Sequence, residues 1–218
     1  MPIALRHRDD PAPTWPRFPG LLVRREVDAA RLAWLQDRAE DDMTSRLEGG
    51  HRGYIAWRDA EPAAWGWVAT RSAHIGELGT SFDLPKGARY LWNFVTLKRH
   101  RGLGIYPRLL DAIVREESTE AEHFWIAFAP ENHASGSGIW KAGFTRMADL
   151  SFDEFGQPVA RSRRAGGGAQ AARMLGLTSV DKSVAPCWRC ARMTVPAERS
   201  CSPDRCTCDY QRPEKACT

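Results

Sequence analysis

A turn with the sequence RGLG, residues 101–104, is the stretch whose residue types are best suited to bind an anion. Its two glycines let backbone approach backbone, and a segment with the features of a helix start follows it. The free N–H groups in the first turn of a helix point outward and attract phosphate groups. The residue types and their order therefore predict an anion site, and a pyrophosphate is the guest that fits it best.

Two elements must position this turn. The segment Tyr90–Leu97 is aromatic and β-branched and contains neither Gly nor Pro, which predicts a buried strand. The segment from about Tyr106 carries Pro107 in its first turn, where the missing N–H of proline is tolerated. Helical spacing continues through four apolar residues. These residues are Leu109, Leu110, Ile113 and Val114.

Two other kinds of phosphate site are excluded by the residues around the turn. A P-loop requires a Lys-Ser/Thr pair after its last glycine, but Ile105 and Tyr106 follow here. A dinucleotide fingerprint requires three glycines near the start of a βαβ unit. Only two glycines are present, and roughly ninety residues precede them. A third class of phosphate site fits the turn better, although the two glycines taken alone could equally form only a tight turn between the strand and the helix.

The turn resembles motif A of the GCN5-related N-acetyltransferases, whose signature is Arg/Gln-x-x-Gly-x-Gly/Ala. Arg101 and Gly104 match the Arg and the first glycine, while Tyr106 stands at the last position in place of a small residue. A register beginning at Arg99 also satisfies the signature. We prefer the first register because it places the Leu109–Leu110 pair where the family's helix has its paired leucines.

A second segment resembles motif B of the same family, written approximately Asn-x-x-Ala/Ser-x-x-x-Tyr-x-x-x-Gly-Phe. Asn132, Ser135, Gly143 and Phe144 occupy matching positions. The two motifs occur in the family's order and are separated by a predicted helix and strand. The resemblance covers roughly residues 21–152.

The resemblance implies an α/β (α+β) fold in which a central mixed, mostly antiparallel, splayed sheet is flanked by helices. It also implies acetyl-CoA as co-substrate. The strand backbone at residues 94–97 would bind the pantetheine arm and the thioester carbonyl, the turn at 101–106 would cradle the pyrophosphate, and Asn132 would hold the arm from the far side. The implied cofactor-binding residues are Phe94, Val95, Thr96, Leu97, Arg101, Gly102, Leu103, Gly104, Ile105, Tyr106 and Asn132.

The resemblance leaves the proton-transfer groups open. The family's usual general acid is the motif B tyrosine, and Ile139 stands at that position. Tyr106 is a candidate acid in its place, and Glu77, in the segment before the central strand, is a candidate base. Ser135, Ser137 and Asp83 are further candidates, as is a water chain.

Composition and charge divide the chain. We expect four regions: a disordered arm at 1–19, an acetyltransferase domain at 20–157, a basic, glycine-rich linker at 158–186 and a cysteine-rich tail at 187–218. Residues 158–218 carry eleven Lys/Arg against five Asp/Glu, although the net charge of the chain is only +4. The core is therefore not expected to bind nucleic acid. No run of eighteen apolar residues and no apolar signal region occur, so we expect no membrane span and a cytoplasmic location.

The remaining pattern predicts a strand at 21–23, helices at 28–38 and 40–48, and a hairpin of strands at 53–58 and 63–70. Residues 71–88 contain three glycines and a proline and are predicted to form a loop with at most a short strand. We expect acceptor specificity to lie in residues 44–52 and 71–88.

All six cysteines lie after residue 186. Cys187, Cys190, Cys201 and Cys206 are the first choice for a tetrahedral zinc site, since paired thiols suit a soft metal. A tail whose cysteines have no structural role is an equally weighted alternative.

The leading hypothesis is an acetyl-CoA-dependent N-acyltransferase that acetylates an amine of a small molecule or a protein. The alternative is a non-catalytic acyl-CoA-binding module whose cysteine-rich tail recruits protein or nucleic acid. The expected partners are acetyl-CoA and an amine acceptor, and a homodimer is left open.

Overall fold

The computed structural model describes residues 1–153 and 155–181. Its helices are α1 (Ala29–Gln36), α2 (Glu40–Glu48), α3 (Ile105–Glu117), α4 (His133–Lys141) and α5 (Gly167–Leu175). Its strands are β1 (Pro2–His7), β2 (Leu21–Glu26), β3 (His51–Arg58), β4 (Glu61–Ala69), β5 (Ser72–Ile75), β6 (Thr80–Asp83), β7 (Ala88–Thr96), β8 (His123–Ala127), β9 (Thr145–Phe152), β10 (Pro158–Ser162) and β11 (Thr178–Val180).

Among the described residues, nine strands form one sheet in the order β11-β10-β9-β1-β8-β7-β4-β3-β2. Neighbouring strands are antiparallel except for the β7–β8 and β10–β11 pairs, which are parallel. The predicted fold class, a mixed and mostly antiparallel sheet flanked by helices, is confirmed.

Helices cover both faces of this sheet. On one face, α3 and α4 bury apolar side chains such as Leu109 and Ile139 against Leu91 and Phe124. On the other face, α1 and α2 pack over Trp67, while α5 and the small sheet of β5 and β6 cover the region around β1 and β9. The apolar stripe of α3 follows helical spacing and lies in the core, as its pattern predicts.

Most local elements form where the sequence predicts them. Asp28 caps α1 by accepting a hydrogen bond from the Arg31 N–H, and α2 spans the predicted residues 40–48. The predicted hairpin is formed by β3 and β4. The segment Arg71–Ala88 differs from its prediction, because β5 and β6 pair there as a separate two-stranded sheet.

The prediction of a disordered arm at residues 1–19 is wrong. The strand β1 lies in the middle of the sheet between β8 and β9, and Ile3 and Ala4 are fully buried. The sequence pattern does not predict this strand, because the charged Arg6 interrupts its run of apolar residues. Its guanidinium is buried and donates hydrogen bonds to the Asp111 carboxylate (2.8 Å) and to the Ala142 carbonyl (2.9 Å).

The proline-rich residues that follow β1 are also anchored. Trp15 Nε1 donates a hydrogen bond to the Asp111 carboxylate (2.9 Å), and the Arg108 guanidinium lies over the rings of Trp15 and Phe18. Aromatic and cationic side chains therefore hold this segment on α3 although its prolines prevent regular structure.

The predicted linker at 158–186 is also wrong over its described part, where β10, α5 and β11 extend the sheet. Its glycines allow close packing. A Cβ on Gly167 would lie 2.4 Å from the Met147 carbonyl oxygen, and one on Gly168 would lie 2.3 Å from Ser162 Oγ. The two glycines therefore mark a tight packing of α5 on the sheet, because only residues without a Cβ fit against Met147 of β9 and Ser162 of β10.

Helices in the described part of the chain are all too short or too polar to cross a bilayer.

Candidate functional site

A cleft opens where β7 and β8 separate. Their pairing ends at Leu91 and Ile126, whereas β7 stays paired with β4 as far as Thr96. The cleft has a volume of about 610 Å³, and the end of β7, the start of α3 and one side of α4 line it. This splayed arrangement leaves one edge of β7 without a strand partner.

The cleft brings together most residues that the sequence predicts to bind the co-substrate. Leu97 and Leu103 are not among the lining residues: the Leu97 N–H bonds the Ala63 carbonyl (2.9 Å), and Leu103 is exposed. The predicted residues that line the cleft are Phe94, Val95, Thr96, Arg101, Gly102, Gly104, Ile105, Tyr106 and Asn132.

The turn presents unused backbone donors to this cleft. Gly102 and Gly104 adopt left-handed conformations, with φ of 78° and 72°, which side-chain-bearing residues rarely occupy. Within the described chain, the N–H groups of residues 102–106 donate to no other protein group. Pro107 has no N–H, so the donors at the helix start are concentrated in these five residues. Their arrangement suits a phosphate or diphosphate.

Arg101 adds a cation beside the turn. Its Nε donates to the Thr96 carbonyl (3.1 Å), which holds the side chain along the end of β7, and the rest of the guanidinium has no partner among the described residues. Two further cationic or titratable side chains line the cleft, His100 and Lys141, and sequence reasoning missed both. Their only signal was position: His100 lies in the basic run before the turn, and Lys141 lies two residues after Ile139.

The unpaired edge of β7 supplies main-chain groups to the same cleft. The Leu97 N–H points toward β4, so strand alternation turns the main-chain groups of Thr96 and Phe94 to the opposite side. The Thr96 carbonyl, which accepts from Arg101, agrees with this direction. A bulge at Asn93, with φ of 53°, bends the strand where it leaves β8.

Tyr106 fits at the helix start because α4 carries a glycine opposite it. A Cβ on Gly138 would lie 2.3 Å from the Tyr106 ring, and the ring also packs against Phe94 with centroids 5.6 Å apart. The Tyr106 hydroxyl lies 3.3 Å from Ser135 Oγ. Burial raises the pKa of Tyr106 and outweighs the opposite effect of the Ser135 hydrogen bond.

Asn132 serves two structural roles at once. Its Oδ1 caps α4 by accepting a hydrogen bond from the Ser135 N–H (3.0 Å), and the residue lines the cleft. The cap leaves the amide Nδ2 without a protein partner in the described chain. Ile139 is fully buried in the core, so the helix position that carries tyrosine in the resembling family offers no hydroxyl to the cleft here.

A second cavity, of about 580 Å³, lies on the other face of β7. It is bounded by β5, β6, the start of β3 and Trp92. All of its lining residues except Trp92 belong to the two segments, 44–52 and 71–88, in which we expect acceptor specificity. Its polar side chains are His51, Ser72, His74, Ser81 and Asp83.

An arginine stacks on the indole of Trp92, which lines this second cavity, and on the neighbouring indole of Trp67. The Arg46 guanidinium lies 5.0 Å from the ring centre of Trp92 and 5.3 Å from that of Trp67. Burial lowers the pKa of His51, and the nearby Arg46 charge lowers it further. Both effects favour the neutral form of the His51 imidazole.

Glu77 lies in the turn between β5 and β6 and does not line either cavity. Its charge adds to burial in raising the pKa of Tyr90. Its role as a base stays a prediction. The predicted metal ligands Cys187, Cys190, Cys201 and Cys206 lie outside the described residues.

No protein-family profile and no curated protein sequence matches this chain. Solved structures do resemble it. The chain shares 18% identity with the aminoglycoside N-acetyltransferase AAC(6')-Iy in complex with CoA, covering 64% of this chain and 97% of that one at a TM-score of 0.48. It shares 16% identity with an acetyltransferase of the GNAT family from Streptococcus pneumoniae (62% and 89% covered, TM-score 0.45).

A third solved structure is a GCN5-related N-acetyltransferase from Kribbella flavida, with 15% identity and a TM-score of 0.37. The match covers 57% of this chain and 46% of that protein, so it spans less than half of that protein's length. The splayed sheet, the turn that starts α3 and the facing helix α4 are themselves the features that the sequence resemblance implies. The resemblance to the GCN5-related N-acetyltransferases is therefore confirmed at the level of the fold.

Proposed function

We propose that this protein is an acetyl-CoA-dependent N-acyltransferase. The observation that carries the proposal is the cleft between β7 and β8. At one end, the N–H groups of residues 102–106 are free to bind a diphosphate, and along one side the edge of β7 is free to pair with an amide-containing arm. Coenzyme A carries both of these groups in a single molecule.

Each part of the cleft fits one part of the co-substrate. The turn and Arg101 would hold the diphosphate through backbone donors and a cation. The main chain of Phe94 and Thr96 would bond the amides of the pantetheine arm as an added strand does. Asn132 Nδ2 would bond the arm from the α4 side, since its Oδ1 is already used by the helix cap.

The chemistry needs positioning more than covalent help, because a thioester is already activated. A neutral amine attacks the thioester carbonyl, the C–N bond forms, the C–S bond breaks and the amine proton passes to a base. Tyr106 donates a hydrogen bond to the departing sulfur. Its raised pKa keeps the hydroxyl protonated through the neutral range, and Ser135 orients it.

The amine would approach from the opposite face of β7, through the second cavity. Asp83 and His51 line this cavity, and either would serve as the base that accepts the amine proton. The lowered pKa of His51 favours the neutral imidazole that this role requires. Glu77 is the third candidate base and is tested separately. Unchanged pH–rate behaviour in a Glu77→Gln variant would remove it from the mechanism.

Calorimetry with the full-length protein tests co-substrate binding. We expect acetyl-CoA and CoA to bind with one site, and Arg101→Glu to weaken both by tenfold or more, because the variant places a carboxylate beside the diphosphate. Arg31→Glu, on the far helix α1, is the matched charge control. Absence of heat with acetyl-CoA contradicts the proposal.

A second function is favoured by one observation. Ile139 is buried where the resembling family has its acid, so the cleft could bind acyl-CoA without catalysing transfer. Thiol release from acetyl-CoA over a broad amine panel separates the two functions. Binding without thiol release on any amine supports the non-catalytic module, and amine-dependent thiol release supports the enzyme.

A further inference from the structure

A cluster of metal-ligating side chains lies away from the cleft, where β1 ends and β8 begins. His7 and His123 are paired residues on these two antiparallel strands. The His7 N–H bonds the Asp10 carboxylate (2.7 Å) and the His123 N–H bonds the Gly87 carbonyl (3.1 Å), so neither donates across the pair. Side chains approach most closely at such non-hydrogen-bonded pairs.

The two imidazoles are close and accessible. Their ring centres are 4.9 Å apart, and neither residue is fully buried. Glu122, which precedes β8, brings a carboxylate to the same place: one donor atom from each of the three residues lies within 4.8 Å of the others. Two imidazoles and a carboxylate form a recognised zinc ligand set that leaves a fourth position for water.

We propose that His7, Glu122 and His123 form a zinc site that joins the end of β1 to the start of β8. Zinc suits this mixed nitrogen and oxygen set, whereas magnesium prefers oxygen ligands. His7 Nδ1 accepts a hydrogen bond from the Asp9 N–H (3.2 Å), and the Asp9 carboxylate lies 3.3 Å from the same nitrogen. Zinc binding through Nε2 would move the imidazole proton to Nδ1, where the Asp9 carboxylate would accept it in place of the N–H contact, as carboxylates commonly do behind metal-bound histidines.

The guanidinium of Arg8 would compete with a metal ion for the Glu122 carboxylate. Arg8 Nη2 lies 3.2 Å from one Glu122 carboxylate oxygen, which leaves the second oxygen for a metal. The site therefore has a built-in competitor, and replacing Arg8 by Gln removes a positive charge from beside the ligands. The Arg8→Gln variant should consequently bind zinc more tightly than the wild type.

The test uses the full chain, reduced and then alkylated so that its six thiols bind no metal. Zinc chloride titration by calorimetry should give one site in the wild type. His7→Ala and His123→Ala should each raise the dissociation constant for zinc by roughly tenfold or more, because each removes a ligand. His74→Ala, an exposed histidine on β5, is the matched control and should bind as the wild type does.

Two further measurements guard against variants that fail to fold. Glu122→Gln changes only an exposed side chain and should weaken zinc binding, whereas Arg8→Gln should strengthen it. Zinc, but not magnesium, should raise the thermal midpoint of the wild type, because it binds the folded state. Absence of zinc binding, or equal binding in the wild type, His123→Ala and Glu122→Gln, overturns the proposal.

Discussion

Tyr106 and Gly138 form a matched pair across the cleft. Motif A ends in a small residue in the resembling family, and here a tyrosine stands in its place while α4 contributes a glycine to receive the ring. The hydroxyl then reaches Ser135 on the same helix. The acid that the family carries on the helix corresponding to α4 would thus be supplied by α3 in this chain.

Replacing Tyr106 by Phe keeps the ring on Gly138 and removes only the hydroxyl. If Tyr106 stabilises the departing sulfur, kcat should fall about 10²-fold while the affinity for CoA stays unchanged. Because the pKa of Tyr106 is raised by burial, this loss should be uniform across neutral pH. Thiol release and calorimetry measure the two quantities. Wild-type kcat in the variant would show that the hydroxyl has no part in the reaction.

Replacing Gly138 by Ala tests the pairing from the other side. Alanine is favoured over glycine in a helix by about 1 kcal/mol, so propensity alone predicts stabilisation. The added Cβ would instead meet the Tyr106 ring at 2.3 Å, and we expect a net loss of about 1–3 kcal/mol in the free energy of unfolding. Urea denaturation measures it.

A double-mutant cycle supplies the control for this prediction. In a Tyr106→Ala background the ring is gone, so Gly138→Ala should be neutral or stabilising there. Equal losses in both backgrounds would mean that the alanine is rejected for a reason other than this contact.

At the scale of elements, the buried Asp149 of β9 joins this strand to the segment that follows β10. Asp149 is 6% exposed and accepts hydrogen bonds from Arg146 and Arg163. Burial alone would raise the pKa of Asp149, but the hydrogen bonds and charges of Arg146 and Arg163 outweigh it, so that its pKa lies below the ordinary value of 3.8. These contacts favour the ionised form, which links the stability of this region to pH.

The sign of this linkage gives a prediction for Asp149→Asn. A carboxylate whose pKa is lowered by folding contributes stability that is complete above its unfolded pKa and lost as pH falls through its folded pKa. The variant should therefore be less stable than the wild type by about 2 kcal/mol at pH 7, and the difference should shrink below about pH 4. Urea denaturation across this range measures it, and a difference independent of pH would contradict the assignment.

The same scale shows what the sequence could predict. The strand β7, the turn and α3 are contiguous, so local patterns of β-branched residues, glycines and apolar spacing were sufficient to predict these three elements. The fit of Tyr106 to Gly138 depends on residues far apart in sequence, and no local pattern reveals it. The prediction that residues 1–19 are disordered failed chiefly because of Arg6. An arginine is usually exposed, and the sequence does not show that Arg6 is buried and bonded to Asp111.

At the scale of the whole molecule, the strand β1 completes the sheet from within. Ile3 has no exposed surface, so Ile3→Asp would bury an unpaired charge between β8 and β9. We expect a loss of more than about 4 kcal/mol, enough to abolish most of the stability of a typical domain. Val27→Asp is the matched control, because Val27 is 70% exposed and its replacement should change little. Similar unfolding curves for both variants would place β1 outside the core.

The position of β1 also bears on how the chain folds during synthesis. The strand β1 is synthesised before both of its partners, β8 and β9, which lie in the last third of the described chain. Its apolar residues therefore stay unpaired until translation has passed residue 152, and closure of the sheet depends on contacts between residues far apart in the sequence. Until then a nascent chain can associate through β1 with other chains, and a chaperone that binds this strand would reduce such association.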